Sequence, residues 1–285
     1  MSAIPETPWQ GAWRRLISRP GSLVSIVFLA VLILLCVLGP LVWPYTESMQ
    51  ELERAASPPS WQHWLGTDSL GRDLAVRVLK GGQMSLLVGC VATLVAVVIG
   101  VSYGLVSGLA SQRVDAAMMR FVDILYAFPF MVFVILLTVM FGRSLWLLFA
   151  AIGAVEWLTM ARVIRGQVLA LKKLEFITAA RASGATTGQI LLRHLLPNVA
   201  GVIVIYASLT VPGVMLLEAT LSFLGLGVQP PNASWGVLIS EGAAAMQATP
   251  WLLIGPAALF SATLIAMNTL SDALRDALDP KSMTE

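Results

Sequence analysis

Six long apolar blocks constrain the fold of this chain more than any other feature. They cover residues 23–43, 85–110, 121–141, 145–161, 199–220 and 251–270. About 20 apolar residues in a helix cross the hydrocarbon core of a bilayer. Lipid cannot satisfy backbone hydrogen bonds, so such segments must be helical. The sequence therefore predicts an all-α integral membrane protein with six transmembrane helices.

The composition excludes a single water-soluble domain. Hydrophobic residues make up 57% of the 285 residues and charged residues only 12%, whereas soluble domains are about a quarter charged. The block at 145–161 is the shortest and contains Glu156, so it is the weakest span by hydropathy. The block at 23–43 is longer than a signal-peptide core and lacks a small-residue cleavage site, so we expect it to remain as the first span.

Lysine and arginine residues predict the orientation of the spans. With a cytoplasmic N-terminus and alternating spans, thirteen of the 18 basic residues fall on the cytoplasmic side. The other five are Arg54, Arg72, Arg77, Lys80 and Arg143. Cytoplasmic loops carry the excess of positive charge in membrane proteins, so both termini are predicted to be cytoplasmic. The net charge of +2 reflects this topology, and we expect no nucleic-acid partner.

Residues 1–84 form an N-terminal region in this interpretation, and residues 85–285 form the core of the transmembrane domain. The N-terminal region begins with a cytoplasmic lead, in which Trp9, Trp13, Leu16 and Ile17 fall near one helical face. This lead is either an interfacial helix or a charged flank of the first span.

The segment that follows, residues 44–84, is predicted to lie outside the cell membrane and contains a charged motif made of Asp68, Arg72 and Asp73. These three side chains are close enough in sequence to pair with one another, or they belong to a solvated charged loop. Thr67 or Asp68 is also a possible cap for a short helix that runs through Arg77.

Glycines and prolines mark features inside the spans. Gly100, Gly104 and Gly108 recur every four residues, which places them on one face and lets another helix approach closely. Proline removes a backbone donor, so Pro129 and Pro212 are expected to kink or interrupt their helices, as is Pro256.

No enzymatic motif is present in the sequence. It lacks a glycine-rich loop that ends in Gly-Lys-Ser/Thr, so we expect no ATP and no other cofactor bound by this chain. The two histidines, His63 and His194, fall on opposite sides of the membrane and cannot share a metal. We therefore expect no catalytic residue and no metal site.

Two acids lie in or near the spans, Glu156 and Glu218. An ionisable side chain within a membrane is costly unless it is paired or wetted, so it is a candidate functional residue. Each is a candidate for a translocation cavity or for an intersubunit contact. The alternative for Glu156 is a protonated carboxyl group that is hydrogen-bonded between helices.

The loop at 162–198 has a helix–turn–helix pattern. Helix-forming residues run from Glu175 to Ser183, and Gly184 is a typical C-terminal stop. Thr186-x-x-Gln189 then fits a capping box that opens a second helix, which is expected to stop at Pro197. Ala179, Ala180 and Gly184 give the first helix a surface of small residues that fits a groove on a partner.

The loop also carries a family resemblance. Thr178-Ala179-Ala180-x-x-x-Gly184, followed after nine residues by His194-Leu195-Leu196-Pro197, resembles the loop signature of binding-protein-dependent ABC importer permeases. In that family the first loop helix docks in a cleft of a cytoplasmic ATPase. Thr178 replaces the usual glutamate and His194 the usual aliphatic residue, although Glu175 is one turn away and could supply the acid.

Further segments resemble the C-type permeases of peptide importers, and most closely those of oligopeptide importers. The segments are 65–73, 128–130, 217–227, 234–236 and 274–280, so the similarity extends over nearly the whole chain. The resemblance implies the transmembrane-domain architecture of type I ABC importers, in the inner membrane of a bacterial cell.

The resemblance also implies partners. They are a homologous B-type permease, two cytoplasmic ATPase subunits that bind ATP and Mg²⁺, a periplasmic peptide-binding protein and the peptide substrate. ATP binding would move the loop helices together and turn the cavity outward to receive peptide.

Alternative functions differ in substrate or in class. Dipeptides, nickel chelates and antimicrobial peptides are alternative substrates of the same kind of complex. A self-sufficient channel or secondary transporter is a less favoured alternative, and a membrane enzyme is less favoured still, because the sequence has no catalytic motif.

Overall fold

The computed structural model describes residues 8–142, 144–229 and 232–278, with the backbone alone at residues 8, 9, 145 and 146. The helices are α1 (Pro8–Ser18), α2 (Pro20–Val42), α3 (Leu74–Leu109), α4 (Gln112–Ala127), α5 (Phe130–Phe141), α6 (Leu145–Leu171), α7 (Glu175–Ala182), α8 (Thr187–Gln189), α9 (Leu196–Phe223), α10 (Trp235–Ala244) and α11 (Trp251–Leu278). A π-helical turn, Ile190–Leu195, joins α8 to α9. The described chain is therefore all-α, as predicted.

Five helical segments are long and apolar enough to span a membrane: α2, α3, α6, the run from α8 through α9, and α11. The pair α4 and α5, which is bent by 78° at its break, makes a sixth if the two helices together form one span. The interruption that Pro129 predicts within the block at 121–141 is therefore present. Pro129 has no N–H donor and forces Phe128 into an extended conformation (φ −73°, ψ 129°), so the helix must end there.

Several helices continue well beyond the apolar blocks. α3 begins at Leu74, before the predicted span at 85–110, and α6 continues to Leu171. Hydropathy detects the lipid-compatible part of a helix, whereas the helix itself continues with polar residues. The predicted division after residue 84 falls inside α3, and it stays a prediction.

The N-terminus of α3 is set by Asp73 and not by Thr67 or Asp68. The carboxylate Oδ1 of Asp73 accepts a hydrogen bond from the backbone N–H of Val76 at 2.9 Å, which is the geometry of an N-cap. The prediction of a short helix that starts near residue 68 was therefore wrong, because residues 67–73 are non-helical.

The chain divides into two compact units. Unit 1 contains α1, α2, the start of α3 to Gly89, the end of α9 from Met215, α10 and α11. Unit 2 contains the rest of α3, α4 and α5, nearly all of α6, then α7 and α8, and α9 to Val214.

In unit 1, α1 is an amphipathic helix that packs against α2 and α11. Ala12 and Leu16 are buried, whereas Trp13 is 58% exposed. An ion pair of 2.5 Å between Arg19 and Asp276 joins the end of α1 to α11. A packed helix with one exposed aromatic edge favours the interfacial interpretation over a simple charged flank. The side chain of Trp9 lies outside the described residues.

In unit 2, the glycine stripe of α3 lies directly against α6. A Cβ atom added to Gly100, Gly104 or Gly108 would lie 2.6 Å from an atom of α6. Those atoms belong, in order, to Met160, Ala161 and Val168. Real Cβ contacts are not this short, so the two helices approach as closely as only glycine permits.

A buried ion pair fastens the same helices at one end. Arg165 donates two hydrogen bonds to Asp115 of α4, at 2.5 and 2.6 Å. Ser107 of α3 donates to the same carboxylate at 2.6 Å, and Lys172 donates to the carbonyl oxygen of Gly108 at 2.9 Å. A bidentate arginine–carboxylate pair fixes orientation as well as distance, so α3, α4 and α6 are held in one register.

The glycine stripe generates a prediction. Gly104→Ala should lower the stability of the folded protein by about 1–3 kcal/mol, because the added methyl group overpacks a close helix contact. Gly166→Ala in α6 is the matched control, since a Cβ there meets open space. Thermal unfolding of both variants in detergent measures the effect, and equal midpoints would contradict the proposed close packing.

Candidate functional site

The helix α7 is anchored to unit 2 through one large apolar side chain. Ile177 is fully buried in a cluster that contains Ile164 and Val168 of α6 together with Leu195 and Val199. Apart from Ile177 and the half-buried Ala180, every residue of α7 is exposed. The loop therefore presents a short helix that is fixed on one side and open on the other.

The open face of α7 differs slightly from the predicted one. Glu175, Thr178 and Ala179 are exposed, whereas Ala180 is half-buried because it lies three residues after the anchor Ile177. Ala182 is exposed and belongs to the open face, and the sequence interpretation missed it. If Ile177 had been recognised as the buried residue of α7, the helical periodicity would have placed Ala182 on the opposite, open face.

Both ends of the loop turn are closed by local hydrogen bonds. The N–H of Gly184 donates to the carbonyl oxygen of Arg181, and the N–H of Ala185 donates to that of Ala180, both at 3.0 Å. This is the Schellman arrangement, which requires a left-handed residue, and Gly184 has a φ of +83°. The capping box of Thr186 and Gln189 is also present, as predicted.

The second loop helix was predicted to stop at Pro197, and this prediction was wrong. The helix passes through the π-helical turn and continues as α9 to Phe223. In the wide turn, the N–H of Leu196 donates to the carbonyl oxygen of Leu191, five residues back. Proline cannot donate to the helix ladder, and a wide turn is a common site at which helices accommodate such a defect. Pro197 itself is exposed.

His194 lies in the π-helical turn and is half-buried. The centroid of its ring is 6.3 Å from that of Phe176 in α7, so it contributes to the contact between the two loop helices. Its carbonyl oxygen accepts a hydrogen bond of 2.6 Å from the side chain of Asn198.

Glu218 is fully buried in unit 1. Its Oε1 atom accepts hydrogen bonds from Ser222 at 2.6 Å and from Ser234 at 2.7 Å. Ser85 of α3 donates to its Oε2 atom at 3.5 Å, and the backbone N–H of Trp235 donates to the Ser85 hydroxyl at 3.1 Å. This serine cage joins α3, α9 and α10. The carboxyl group is fully enclosed within unit 1, and its role at a cavity or a subunit interface stays a prediction.

Glu156 has a different environment. It lies in α6 of unit 2 and is half-buried, and it makes no hydrogen bond or ion pair within the described part of the chain. Among the residues that the structure describes, no hydrogen bond joins it to another helix, so the alternative of a carboxyl group hydrogen-bonded between helices has no support there. The structure does not bring Glu156 and Glu218 together in one unit.

The charged motif in segment 44–73 takes part in two separate groups of contacts. Asp68 binds Arg72 and Arg77, each at 2.7 Å, and Arg77 also reaches Glu241 of α10 at 2.9 Å. Asp73 instead pairs with the buried His63 at 2.8 Å. These contacts hold the segment on unit 1 and distinguish it from a solvated loop.

Comparison with known proteins provides independent information. Residues 96–283 match the family model described as the inner membrane component of binding-protein-dependent transport systems. Residues 7–59 match the model of the N-terminal transmembrane domain of oligopeptide transport permease C.

Curated relatives agree with these models. This chain is 47% identical to the oligopeptide transport system permease protein OppC of Haemophilus influenzae. The match covers 96% of this chain and 88% of that relative. The chain is 49% identical to OppC of Escherichia coli strain K12, covering 96% of this chain and 91% of the relative. It is 42% identical to the dipeptide transport system permease protein DppC of Bacillus subtilis, covering 95% of this chain and 85% of that relative.

The turn after α7 generates a prediction. Gly184→Val should destabilise the end of α7 by about 1–2 kcal/mol, because a side chain clashes with the backbone in the left-handed conformation. Amide hydrogen exchange of residues 179–185 should speed up by about 5–30-fold. Gly184→Asn is the control, since asparagine tolerates this conformation. Equal protection in both variants would show that the turn does not hold the helix.

The serine cage generates a second prediction. Ser234→Ala should lower the free energy of unfolding by about 1–3 kcal/mol, because the enclosed carboxyl group loses a partner and α10 loses its N-cap. Thr220→Ala is the control, since its exposed hydroxyl bonds only to the carbonyl oxygen of Leu216 in its own helix. If Ser234→Ala and the control unfold at the same temperature, the serine cage does not stabilise the protein as predicted.

Proposed function

Because this chain belongs to the family of binding-protein-dependent transport system inner membrane components, we propose that it forms half of a peptide path through an ATP-driven importer. It is a transmembrane permease subunit with the architecture of type I importers. Oligopeptides are the proposed substrate, and the proposed partners are a homologous permease, a peptide-binding protein and ATPase subunits.

One observation carries the choice of substrate. The similarity to oligopeptide permeases extends over 96% of the chain at 47–49% identity, and it includes the N-terminal region. Dipeptides are the second candidate, since a dipeptide permease is 42% identical over 95% of the chain. A homologous permease would complete the path, and a peptide-binding protein would deliver the substrate.

The coupling proposal depends on α7. We infer that its open face, formed by Glu175, Thr178, Ala179 and Ala182, docks on a cytoplasmic ATPase subunit. The face is exposed and its alanines leave room for a partner, while the anchor Ile177 joins the helix to the core of unit 2. ATP and Mg²⁺ would be bound by two such ATPase subunits, and this chain would transmit their closure.

The charge distribution supports the proposed location. The excess of basic residues favours cytoplasmic termini and a cytoplasmic loop at 162–198, in the inner membrane of a bacterium. Two of the counted residues, Arg143 and Lys281, lie outside the described residues. An ATPase in the cytoplasm requires this orientation.

A detergent pull-down of the tagged chain from its native membrane tests the complex. The parent chain should copurify with a second permease and an ATPase. Ala179→Arg and Ala182→Arg should reduce the recovered ATPase by at least about tenfold, a loss of roughly 1.4 kcal/mol in binding, because a long side chain blocks the docking face. Ala180→Arg should have a weaker direct effect on docking, since that side chain turns toward the anchor.

Ala116→Arg is the control, because Ala116 is an exposed alanine in a different helix, α4. ATPase recovery that falls equally in the control would place the docking surface elsewhere. If the parent chain purifies alone or as a homo-oligomer, the self-sufficient channel or secondary transporter becomes the better interpretation. ATP-dependent uptake of oligopeptides and dipeptides by the purified complex then decides between the two substrates.

A further inference from the structure

A stripe of polar side chains runs along one side of α6 and meets α4. Its α6 members are Glu156, Thr159 and Arg162, which are spaced by three residues, so they lie on the same side of the helix. The α4 members are Asp123 and Tyr126, spaced in the same way. We call these five residues the polar stripe.

Direct contacts join the two helices within the polar stripe. Arg162 Nη2 donates to Asp123 Oδ1 at 2.8 Å, and the guanidinium carbon lies 4.4 Å from the centroid of the Tyr126 ring. The hydroxyl oxygen of Tyr126 is 3.0 Å from that of Thr159. Four of the five residues are therefore joined by direct contacts, and Glu156 lies one helical turn from Thr159 without such a contact among the described residues.

The polar stripe extends from the cytoplasmic end of α6 into the membrane. At 1.5 Å per residue, Glu156 is about 14 Å along α6 from Leu147, the first residue of the candidate span, and a hydrocarbon core is about 30 Å thick. Glu156 therefore falls inside the core of a membrane that α6 crosses. Arg162 lies one residue beyond the apolar block at 145–161, at the cytoplasmic end of the span.

These polar groups are exposed on the surface of the chain. The side chains of Asp123 and Arg162 are 61% and 41% exposed, and Tyr126 is 49% exposed. Charged groups at this depth are very costly against lipid and face water-filled cavities or other protein. By contrast, α2 exposes aliphatic residues such as Val31 and Leu34, which is the surface that lipid accepts.

The charge of the polar stripe indicates what it binds. Arg162 is neutralised by Asp123, whereas the carboxyl group of Glu156 has no hydrogen-bond or ion-pair partner within the described chain. The one member without a partner there is therefore a carboxyl group, and an ammonium group complements it. The hydroxyl groups of Tyr126 and Thr159 can donate to and accept from peptide amides.

The length of the stripe also fits a peptide. Glu156 and Arg162 are separated by about 9 Å along the helix axis, at 1.5 Å per residue. An extended chain advances about 3.3–3.6 Å per residue, so this distance matches nearly three peptide residues. A small cation would occupy only one point on such a surface.

We propose that the polar stripe lines the path of the peptide and that Glu156 binds an ammonium group of the passing substrate. The ammonium group is that of the peptide N-terminus or of a lysine side chain. This proposal rests on the proposed peptide-import function and adds the wall of the path and the chemistry it recognises.

Cysteine accessibility tests whether the polar stripe faces water. In a background with Cys36→Ala and Cys90→Ala, Thr159→Cys is introduced into the full importer in proteoliposomes. Its rate of reaction with a charged, water-soluble methanethiosulfonate should exceed that of Leu34→Cys by at least tenfold, and a transported tripeptide should slow it. Leu34 is the control because it is 59% exposed in the middle of the apolar α2. Equally slow labelling of the two cysteines would overturn the proposal.

Peptide uptake tests the role of Glu156. Glu156→Gln should reduce the uptake of a tripeptide about tenfold at saturating binding protein, whereas Glu156→Asp should keep at least a third of the parent rate. Parallel assays use a lysine-containing tripeptide and its norleucine analogue. A loss for both peptides assigns the site to the N-terminal ammonium group, and a loss confined to the lysine peptide assigns it to the side chain.

Two results would overturn the role of Glu156. One is parent-level uptake of both peptides by Glu156→Gln. The other is loss of the second permease from the Glu156→Gln complex, which would make Glu156 an intersubunit contact. If the proposed peptide-import function is itself wrong, the parent complex will show no ATP-dependent peptide uptake, which distinguishes that failure from the two results above.

Discussion

A bilayer core offers no hydrogen-bond partner, and the arrangement of polar groups in this chain follows from that constraint. Glu218 is enclosed by the hydroxyl groups of Ser222 and Ser234, and Asp115 is held by a bidentate arginine. Each of these groups joins three helices, since the serine cage reaches α3, α9 and α10 and the ion pair reaches α3, α4 and α6. A polar group that must find partners inside the protein thus becomes a point at which helices are fixed. The polar stripe differs from both groups, because it is satisfied only in part and remains exposed.

Hydropathy predicted six spans because apolar length is a local property of the sequence, and the loop turn was predictable because Gly184 and the Thr186–Gln189 box act over a few residues. The partners of Glu218 were not predictable in this way. Ser85 lies 133 residues before it and Ser234 lies 16 residues after it, so only the packing of three helices brings them together. The bend at Pro129 was expected as a break, but its size depends on tertiary contacts. The continuation of the helix through Pro197 was not predictable, because a proline stops a regular α-helix, whereas the wide turn at Ile190–Leu195 tolerates it.

Unit 2 anchors an exposed loop helix to a tightly packed core, whereas unit 1 holds an extended segment in place with ion pairs. Unit 2 has its tightest helix contact at the glycine stripe, close to the Asp115–Arg165 pair, and α7 is anchored to the same unit through Ile177. A displacement of α7 would therefore be passed to a core that resists deformation. In unit 1, segment 44–73 is tied down by Asp68 and Asp73, which gives that end of the protein a defined surface instead of a loose loop.

The hydrogen bonds at both ends of the turn after α7 have a consequence for protein engineering. Within residues 174–190, the Gly184 turn closes the end of α7 and the Thr186–Gln189 box caps the start of α8, while Ile177 and Ile190 are buried against the rest of the unit. The segment is therefore a cassette, with recognition residues on its outer side and these two buried side chains, the plug, on its inner side. The cassette could be exchanged between related permeases while the plug is retained. Such chimeras would accept the ATPase subunit of another importer without redesign of the membrane helices.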